Sequence, residues 1–192
     1  MIRLGILSSH NGSGFDTIQE ACENKELHAE IVVVISNNSN AEVLKKAASK
    51  EIPHFIINAN LFPNEDLDEK ITSVLNEHAC DYLFLSGYMK KLEKNLIQTY
   101  ENRIINSHPA LLPKFGGVGM YGRNVHDAVI KAKEKQSGCT VHFVNEEYDK
   151  GEFILQKSIT LDENESAESL EQKIKELEAV AIIEALNKLF NQ

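Results

Sequence analysis

An amide and an imidazole stand two residues apart in Asn106-Ser107-His108-Pro109. On extended chain, residues two apart share a face, and Pro109 biases His108 towards extended backbone. Such a pair can stabilise a developing oxyanion and move a proton near neutral pH. A carboxylate that could complete it is Asp149, in the connection Glu146-Glu147-Tyr148-Asp149-Lys150-Gly151. Turns favour Asp for its backbone hydrogen bonds, so residue type alone does not assign it a role. As a partner of His108, Asp149 is expected to favour the protonated imidazole and raise its pKa. A third candidate is Ser9-His10-Asn11-Gly12-Ser13-Gly14, where Gly and Ser expose N–H groups at the start of a helix. The helix dipole adds about half a positive charge there, so this turn can hold a phosphate. It is neither G-x-G-x-x-G nor a P-loop, because the Lys of the latter is missing.

These residues need elements to position them. Ile2–Leu7, Glu30–Ile35, Pro53–Ile57, Asp81–Ser86 and Arg103–Asn106 read as strands. Between them, Phe15 to about Lys25, Ala41–Lys50, a segment near 65–78 and Leu92 to about Tyr100 carry helical patterning. The alternation predicts an α/β fold with a mostly parallel central sheet and helices on both faces. Asn106 then lies at the carboxyl end of a strand, where open α/β sheets bind ligands. Residues 107–122 form a long loop, in which six of the sixteen are Gly or Pro, and such loops are usually functional or mobile. Arg123–Lys135 resumes as helix. Cys139–Asn145 and Phe153–Leu161 predict a late antiparallel hairpin in which Gly151 takes a positive φ. Leu170, Ile174, Leu177 and Ala181 mark a last amphipathic helix. Residues 1–192 are expected to form a single domain.

Composition narrows the function. The 192 residues carry 20 Lys and Arg against 29 Asp and Glu, a net charge of −9. That balance disfavours nucleic acid as a partner but leaves small anions open, because a pocket can differ from the whole. The run Ile31–Ile35 is far too short to span a bilayer, and the first strand lacks the apolar stretch of a signal peptide. Cys22, Cys80 and Cys139 form no CxxC pair, suggest a reducing compartment, and read as small buried residues. The other histidines (His10, His28, His54, His78, His126 and His142) are scattered without metal-ligand spacing, so no metal is expected. Gly-x-Ser-x-Gly is absent, which argues against a serine hydrolase. No carboxylate ends the second strand, which weakens an NAD site.

With these regions in hand, the sequence resembles the phosphoribosylglycinamide formyltransferase family, almost from end to end. The residues that carry the resemblance are Asn11-Gly12-Ser13, Ser36-Asn37-Asn38, Leu85-Ser86-Gly87-Tyr88-Met89, and Asn106-x-His108-Pro109-x-Leu111-Leu112-Pro113-Lys114-Phe115. Gly138-Cys139-Thr140-Val141-His142-Phe143-Val144 followed by Tyr148-Asp149-x-Gly151 completes it. The resemblance implies a Rossmann-like formyltransferase fold and 10-formyltetrahydrofolate as co-substrate. It implies formyl transfer to the amine of 5-phosphoribosylglycinamide in purine biosynthesis, with Asn106, His108 and Asp149 as the catalytic set. Asn11, Gly12, Ser13, Gly14, Lys175 and Glu178 would meet the ribonucleotide. Met89, Lys90, Lys91, Leu92 and Asn106, with Val144, Asn145, Glu146, Glu147, Tyr148 and Asp149, would surround the folate. Small-molecule partners, no nucleic acid or membrane, a cytoplasmic location and a monomer or homodimer complete the expectation.

The sequence departs from the family pattern in four places. Gly14 stands where the family usually has Asn, and an Arg expected near Phe62-Pro63-Asn64-Glu65 is missing. Lys90 replaces an Arg found in many members. The segment Gly116-Gly117-Val118-Gly119-Met120-Tyr121-Gly122-Arg123 differs from the commoner Pro-Gly-x-His form. These changes touch substrate contacts and leave Asn106, His108 and Asp149 in place. Relatives that formylate amino-sugar nucleotides share the Asn-x-His and Asp set, and a non-catalytic phosphosugar- or folate-binding protein is the alternative of another class. Methionyl-tRNA formyltransferase and formyltetrahydrofolate hydrolase add a further domain, for which 192 residues leave no expected room.

Overall fold

The β-branched runs become strands and the amphipathic stretches helices in the computed structural model of the chain, which describes residues 1–191. In chain order the elements are β1 (Ile2–Leu7), α1 (Ser13–Glu23), β2 (Ala29–Ser36), α2 (Glu42–Ser49), β3 (His54–Ile56), α3 (Leu67–Glu77) and β4 (Tyr82–Leu85). Then come α4 (Lys94–Thr99), β5 (Ile104–His108), α5 (Arg123–Lys131), β6 (Gln136–Phe143), β7 (Phe153–Thr160) and α6 (Ala167–Phe190). The strands form one seven-stranded sheet of order β3-β2-β1-β4-β5-β6-β7. β1 pairs in parallel with β2 and β4, and β2 with β3, whereas β6 and β7 are antiparallel. Two compact units divide the chain, Met1–Ile105 and Asn106–Gln192.

In the first unit, Leu4, Ile6 and Leu7 of β1 and Val33, Val34 and Ile35 of β2 are all fully buried. Consecutive buried residues mean that both faces are covered, as in a parallel sheet. α1, α2 and α3 bury Phe15 and Ile18, Val43 and Ala47, and Ile71 and Leu75. In the second unit, Cys139 and Val141 of β6 are buried, as are Leu170, Ile174, Ala181 and Ala185 on α6. Ser166 caps α6 by accepting the Ser169 N–H, which satisfies an N-terminal donor. No described helix is long and apolar enough to cross a membrane.

Several expected boundaries move for local reasons. α1 begins at Ser13 rather than Phe15, because Gly12 turns the chain at φ 73. β5 runs on to His108, so Asn106 and His108 lie on the same strand. α5 ends at Lys131 rather than Lys135, and Lys133 goes left-handed at φ 53. Gly151 does not take the positive φ of the hairpin connection; Asp149 does, at 57°. Gly151 is needed for space, since a Cβ there would sit 1.7 Å from the Phe143 carbonyl oxygen. Cys80 and Cys139 are buried as expected, but Cys22 is only half-buried.

Candidate active site

The second unit brings Asn106, His108 and Asp149 together. β5 carries the first two, and the tip after β6 carries the third. Asp149 stands between two imidazoles: its Oδ2 lies 3.6 Å from His108 Nδ1 and its Oδ1 3.6 Å from His142 Nε2. These are ion-pair distances, too long for direct hydrogen bonds. Asp149 Oδ2 also accepts the Gly117 N–H at 2.8 Å. Asn106 Nδ2 lies 3.2 Å from His142 Nε2, and His142 Nδ1 lies 2.8 Å from its neighbour Phe143's carbonyl oxygen. A carbonyl only accepts, so His142 carries its proton on Nδ1 and takes a hydrogen bond from Asn106 on Nε2. One Asn106 N–H remains for another acceptor.

The same argument assigns His108. Its Nε2 lies 2.7 Å from the Phe115 carbonyl oxygen, so Nε2 holds the proton and the Nδ1 lone pair faces Asp149. His108 is 4% exposed. Burial pushes its pKa below the ordinary 6.5, and the Asp149 charge and the Phe115 carbonyl, which pull upward, do not offset it. The expectation that Asp149 keeps His108 protonated is therefore corrected. The resting ring is neutral at pH 7, because desolvation outweighs the carboxylate. Burial also works against ionising Asp149, but its surroundings, the Gly117 N–H bond among them, hold its carboxyl below the usual 3.8. A neutral base thus faces an ionised carboxylate.

The chain after His108 is tied down by two side chains. Thr140 Oγ1 donates to the Ala110 carbonyl at 2.7 Å and accepts the Leu112 N–H at 3.1 Å. Gln156, opposite Thr140 in the β6–β7 register, donates to Thr140 Oγ1 and to the Leu112 carbonyl, both at 2.9 Å. Thr140→Val keeps the shape and strands these buried groups. We expect it to destabilise the protein by about 1–3 kcal/mol, read as a lower denaturant midpoint at unchanged m-value.

Sequence reasoning missed His142, which it set among the scattered histidines. The available signal was spacing: Thr140 and His142 are two apart on β6, as Asn106 and His108 are on β5. A register shift in β6 falls between Val141 and His142.

In the first unit, the turn before α1 is closely packed. Gly12 is left-handed, and a Cβ there would lie 2.5 Å from Val43 Cγ2. Val43 also donates its N–H to the His10 carbonyl at 3.1 Å. Gly14 is buried, and a Cβ on it would meet Phe84 Cε1 at 2.6 Å, so Phe84 and Ser86 fill the space where a side chain would begin. Sequence reasoning also missed Lys46, whose Nζ lies 2.9 Å from the Asn11 carbonyl, 3.0 Å from Asn11 Oδ1 and 2.5 Å from Asp16 Oδ2. Near Asn64, the available cation is Lys70. It is paired with Glu65 at 2.8 Å and stacked 4.0 Å over the Phe62 ring.

The remaining expected contacts are mixed. Met89, Lys90 and Lys91 are exposed, whereas Leu92 is 5% exposed and belongs to the core. Val144 is half-buried, and Asn145, Glu146, Glu147 and Tyr148 are exposed, with Asn145 Oδ1 accepting the Glu147 N–H. Lys175 is paired with Glu171 at 2.8 Å. Glu178 is partly exposed, and burial of its carboxyl pushes its pKa up.

A sheet of this order, ending in a hairpin whose tip sets a carboxylate between two imidazoles, defines a class of proteins. The chain belongs to the formyl transferase family, whose profile matches residues 2–186. It is similar to the phosphoribosylglycinamide formyltransferase of Haemophilus influenzae, at 36% identity over 93% of this chain and 82% of that one. It is also similar to the chloroplastic phosphoribosylglycinamide formyltransferase of Arabidopsis thaliana, at 35% identity over 90% of this chain. The chain spans 60% of the length of that plant relative. The crystal structure of phosphoribosylglycinamide formyltransferase from Bacillus halodurans superposes with a TM-score of 0.90, at 29% identity, covering 99% of this chain and 96% of that one.

Proposed function

We propose that this protein transfers the formyl group of 10-formyltetrahydrofolate to the primary amine of 5-phosphoribosylglycinamide. The observation that carries this reading is Asp149 held between His108 Nδ1 and His142 Nε2, with Asn106 beside them. Supporting it are the curated relatives that bear the name of that activity.

The amine attacks the formyl carbon and forms a tetrahedral intermediate with a negative oxygen. The free Asn106 N–H donates to that oxygen. The ammonium formed by attack loses its proton to His108 Nδ1, which becomes a cation beside Asp149. That cation then stabilises the oxyanion electrostatically. The proton passes on to N10 of the folate as the C–N10 bond breaks, so it moves from amine to leaving group with no net change. Asp149 stays ionised throughout and faces the His108 cation while it exists. In this scheme His108 rests neutral and is charged only while the intermediate exists, as its burial requires.

In the first unit, Asn11, Gly12, Ser13 and Gly14 bind the phosphate of the acceptor through backbone N–H groups. Lys46 adds a cation at the same turn. Met89, Lys90 and Lys91 contact the folate. Lys46→Met is expected to raise KM for the phosphorylated acceptor about fivefold, the loss of a solvent-accessible ion pair of about 1 kcal/mol. The kcat and the folate KM stay near wild type in that variant, and initial-rate kinetics with each substrate varied in turn read this out.

An acceptor panel tests the assignment. Loss of the folate formyl group is followed by absorbance with glycinamide ribonucleotide and with a set of amino-sugar nucleotides. A kcat/KM at least a hundredfold higher for glycinamide ribonucleotide supports the reading. A preference for an amino sugar assigns the other formyltransferase activity instead.

A further inference from the structure

Between β4 and α4 the chain runs through Gly87-Tyr88-Met89-Lys90-Lys91-Leu92-Glu93 without helix or strand. Its backbone groups have no ladder or helix to pair with, so other groups must fix them. Two buried side chains do so, one at each end. At the entry, the hydroxyl of Ser9, 2% exposed, accepts the Met89 N–H at 2.8 Å. That hydroxyl is aimed by its own donation to Asn37 Oδ1 at 2.5 Å, and the Ser9 N–H donates to the Gly87 carbonyl at 3.2 Å. At the exit, Asp68 lies in the first turn of α3 and is 7% exposed. Its Oδ2 accepts the Glu93 N–H at 2.6 Å. Burial pushes the Asp68 pKa above 3.8, and the Glu93 N–H pulls it back down. Burial also raises the Tyr88 phenol to about 12, and the Asp68 charge adds to that rise. Between the two pins Leu92 is buried, while Met89, Lys90 and Lys91 are exposed.

We propose that Asp68 and Ser9 are positioning residues for the folate, pinning the Met89–Leu92 segment at its two ends and holding its exposed middle in one place. This rests on the assignment of that segment to the folate. Neither residue touches the reacting atoms. The exit pin is a hydrogen bond to a charged acceptor, one of the stronger kind. Removing the carboxylate leaves the Glu93 N–H unpaired and the end of the segment free to shift. The Ser9 hydroxyl and the Asp68 carboxylate make no hydrogen bond to the Asn11–Gly14 turn. Their loss therefore falls on the folate and spares the ribonucleotide.

The test is a kinetic split on Asp68→Ala, with Asp68→Asn as the variant that keeps an acceptor for the Glu93 N–H. We expect the folate KM to rise about tenfold in Asp68→Ala, the loss of one buried hydrogen bond to a charged group. The KM for glycinamide ribonucleotide stays within about twofold and kcat at saturation within about threefold, because uniform binding is lost and the catalytic set is untouched. Asp68→Asn brings the folate KM back to within about threefold of wild type, since its amide oxygen still accepts. Ser9→Ala removes the other pin and raises the folate KM alone by about fivefold. It provides the test if Asp68→Ala does not fold. A pin that serves only stability lowers the denaturant midpoint and leaves the folate KM unmoved, and that result overturns the proposal. A rise in both KM values, or an Asp68→Asn as impaired as Asp68→Ala, overturns it too. Calorimetric binding of tetrahydrofolate and of ribose 5-phosphate to the same proteins separates this claim from the assigned activity. Wild type that binds tetrahydrofolate without turnover refutes the activity. A weaker tetrahydrofolate Kd in the variants, with the ribose 5-phosphate Kd unchanged, then supports the pins. Wild type that binds no tetrahydrofolate overturns both.

Discussion

His108→Ala lowers kcat for formyl transfer by about 10²–10³, the usual loss when a group that stabilises an oxyanion is removed. Both KM values stay within threefold and the circular dichroism spectrum is unchanged. The size of the effect follows from what His108 contributes. Its Nε2 proton is engaged by the Phe115 carbonyl, so Nδ1 is the only site that can take the proton released by the attacking amine. Alanine removes that base and also the cation that would face the oxyanion. His108→Gln keeps a donor for Phe115 but cannot accept and carry the proton, and it is expected to be impaired nearly as much. A turnover close to wild type in either purified variant contradicts the role.

Asp149→Asn is the second large effect, a fall in kcat of about 10²–10⁴. The carboxylate offers the transient His108 cation its partner, and an amide offers none. The substitution also moves a measurable midpoint. Burial already holds the His108 pKa below 6.5, and the Asp149 charge is the largest contribution opposing it. Removing that charge drops the midpoint further, which the ring C–H resonances report by NMR titration. The sign extends to stability. Below pH 6.5 the unfolded chain binds a proton at this imidazole that the folded chain excludes. His108 therefore makes stability fall as pH drops through that value. Asp149 acts in a lower window, where its stabilising ionisation is lost as pH falls from 3.8 towards its depressed pKa.

The parallel half of the fold was legible because β2 and its neighbours read as short apolar runs between helical patterns, and nothing long-range contradicts them. The ends were less so. The helix pattern of Arg123–Lys135 contains no Gly or Pro before Lys135, yet Lys133 turns left-handed and α5 stops four residues early. Asn106, His108 and Asp149 were legible as residue types at telling positions. His142 and Lys46 were not, since each earns its place from a partner at least thirty residues away in sequence: Asn106 for one, Asn11 for the other. The direction of the His108 pKa was misread for the same reason. Local sequence shows the carboxylate partner, but the burial that outweighs it is assembled from the whole unit. Gly151 shows a close approach that also depends on a strand pair, so a sequence view reads it as a φ requirement.

The central claim is direct transfer of the formyl carbon to an amine by the His108–Asp149 site. Its most direct test follows a ¹³C-labelled formyl group from 10-formyltetrahydrofolate in the presence of glycinamide ribonucleotide, by carbon NMR and mass spectrometry. The account predicts one labelled formamide on the ribonucleotide for each tetrahydrofolate released, with no labelled formate. Labelled formate appearing at the same rate whether or not the amine is present would contradict it, and would make this protein a hydrolase of the folate instead.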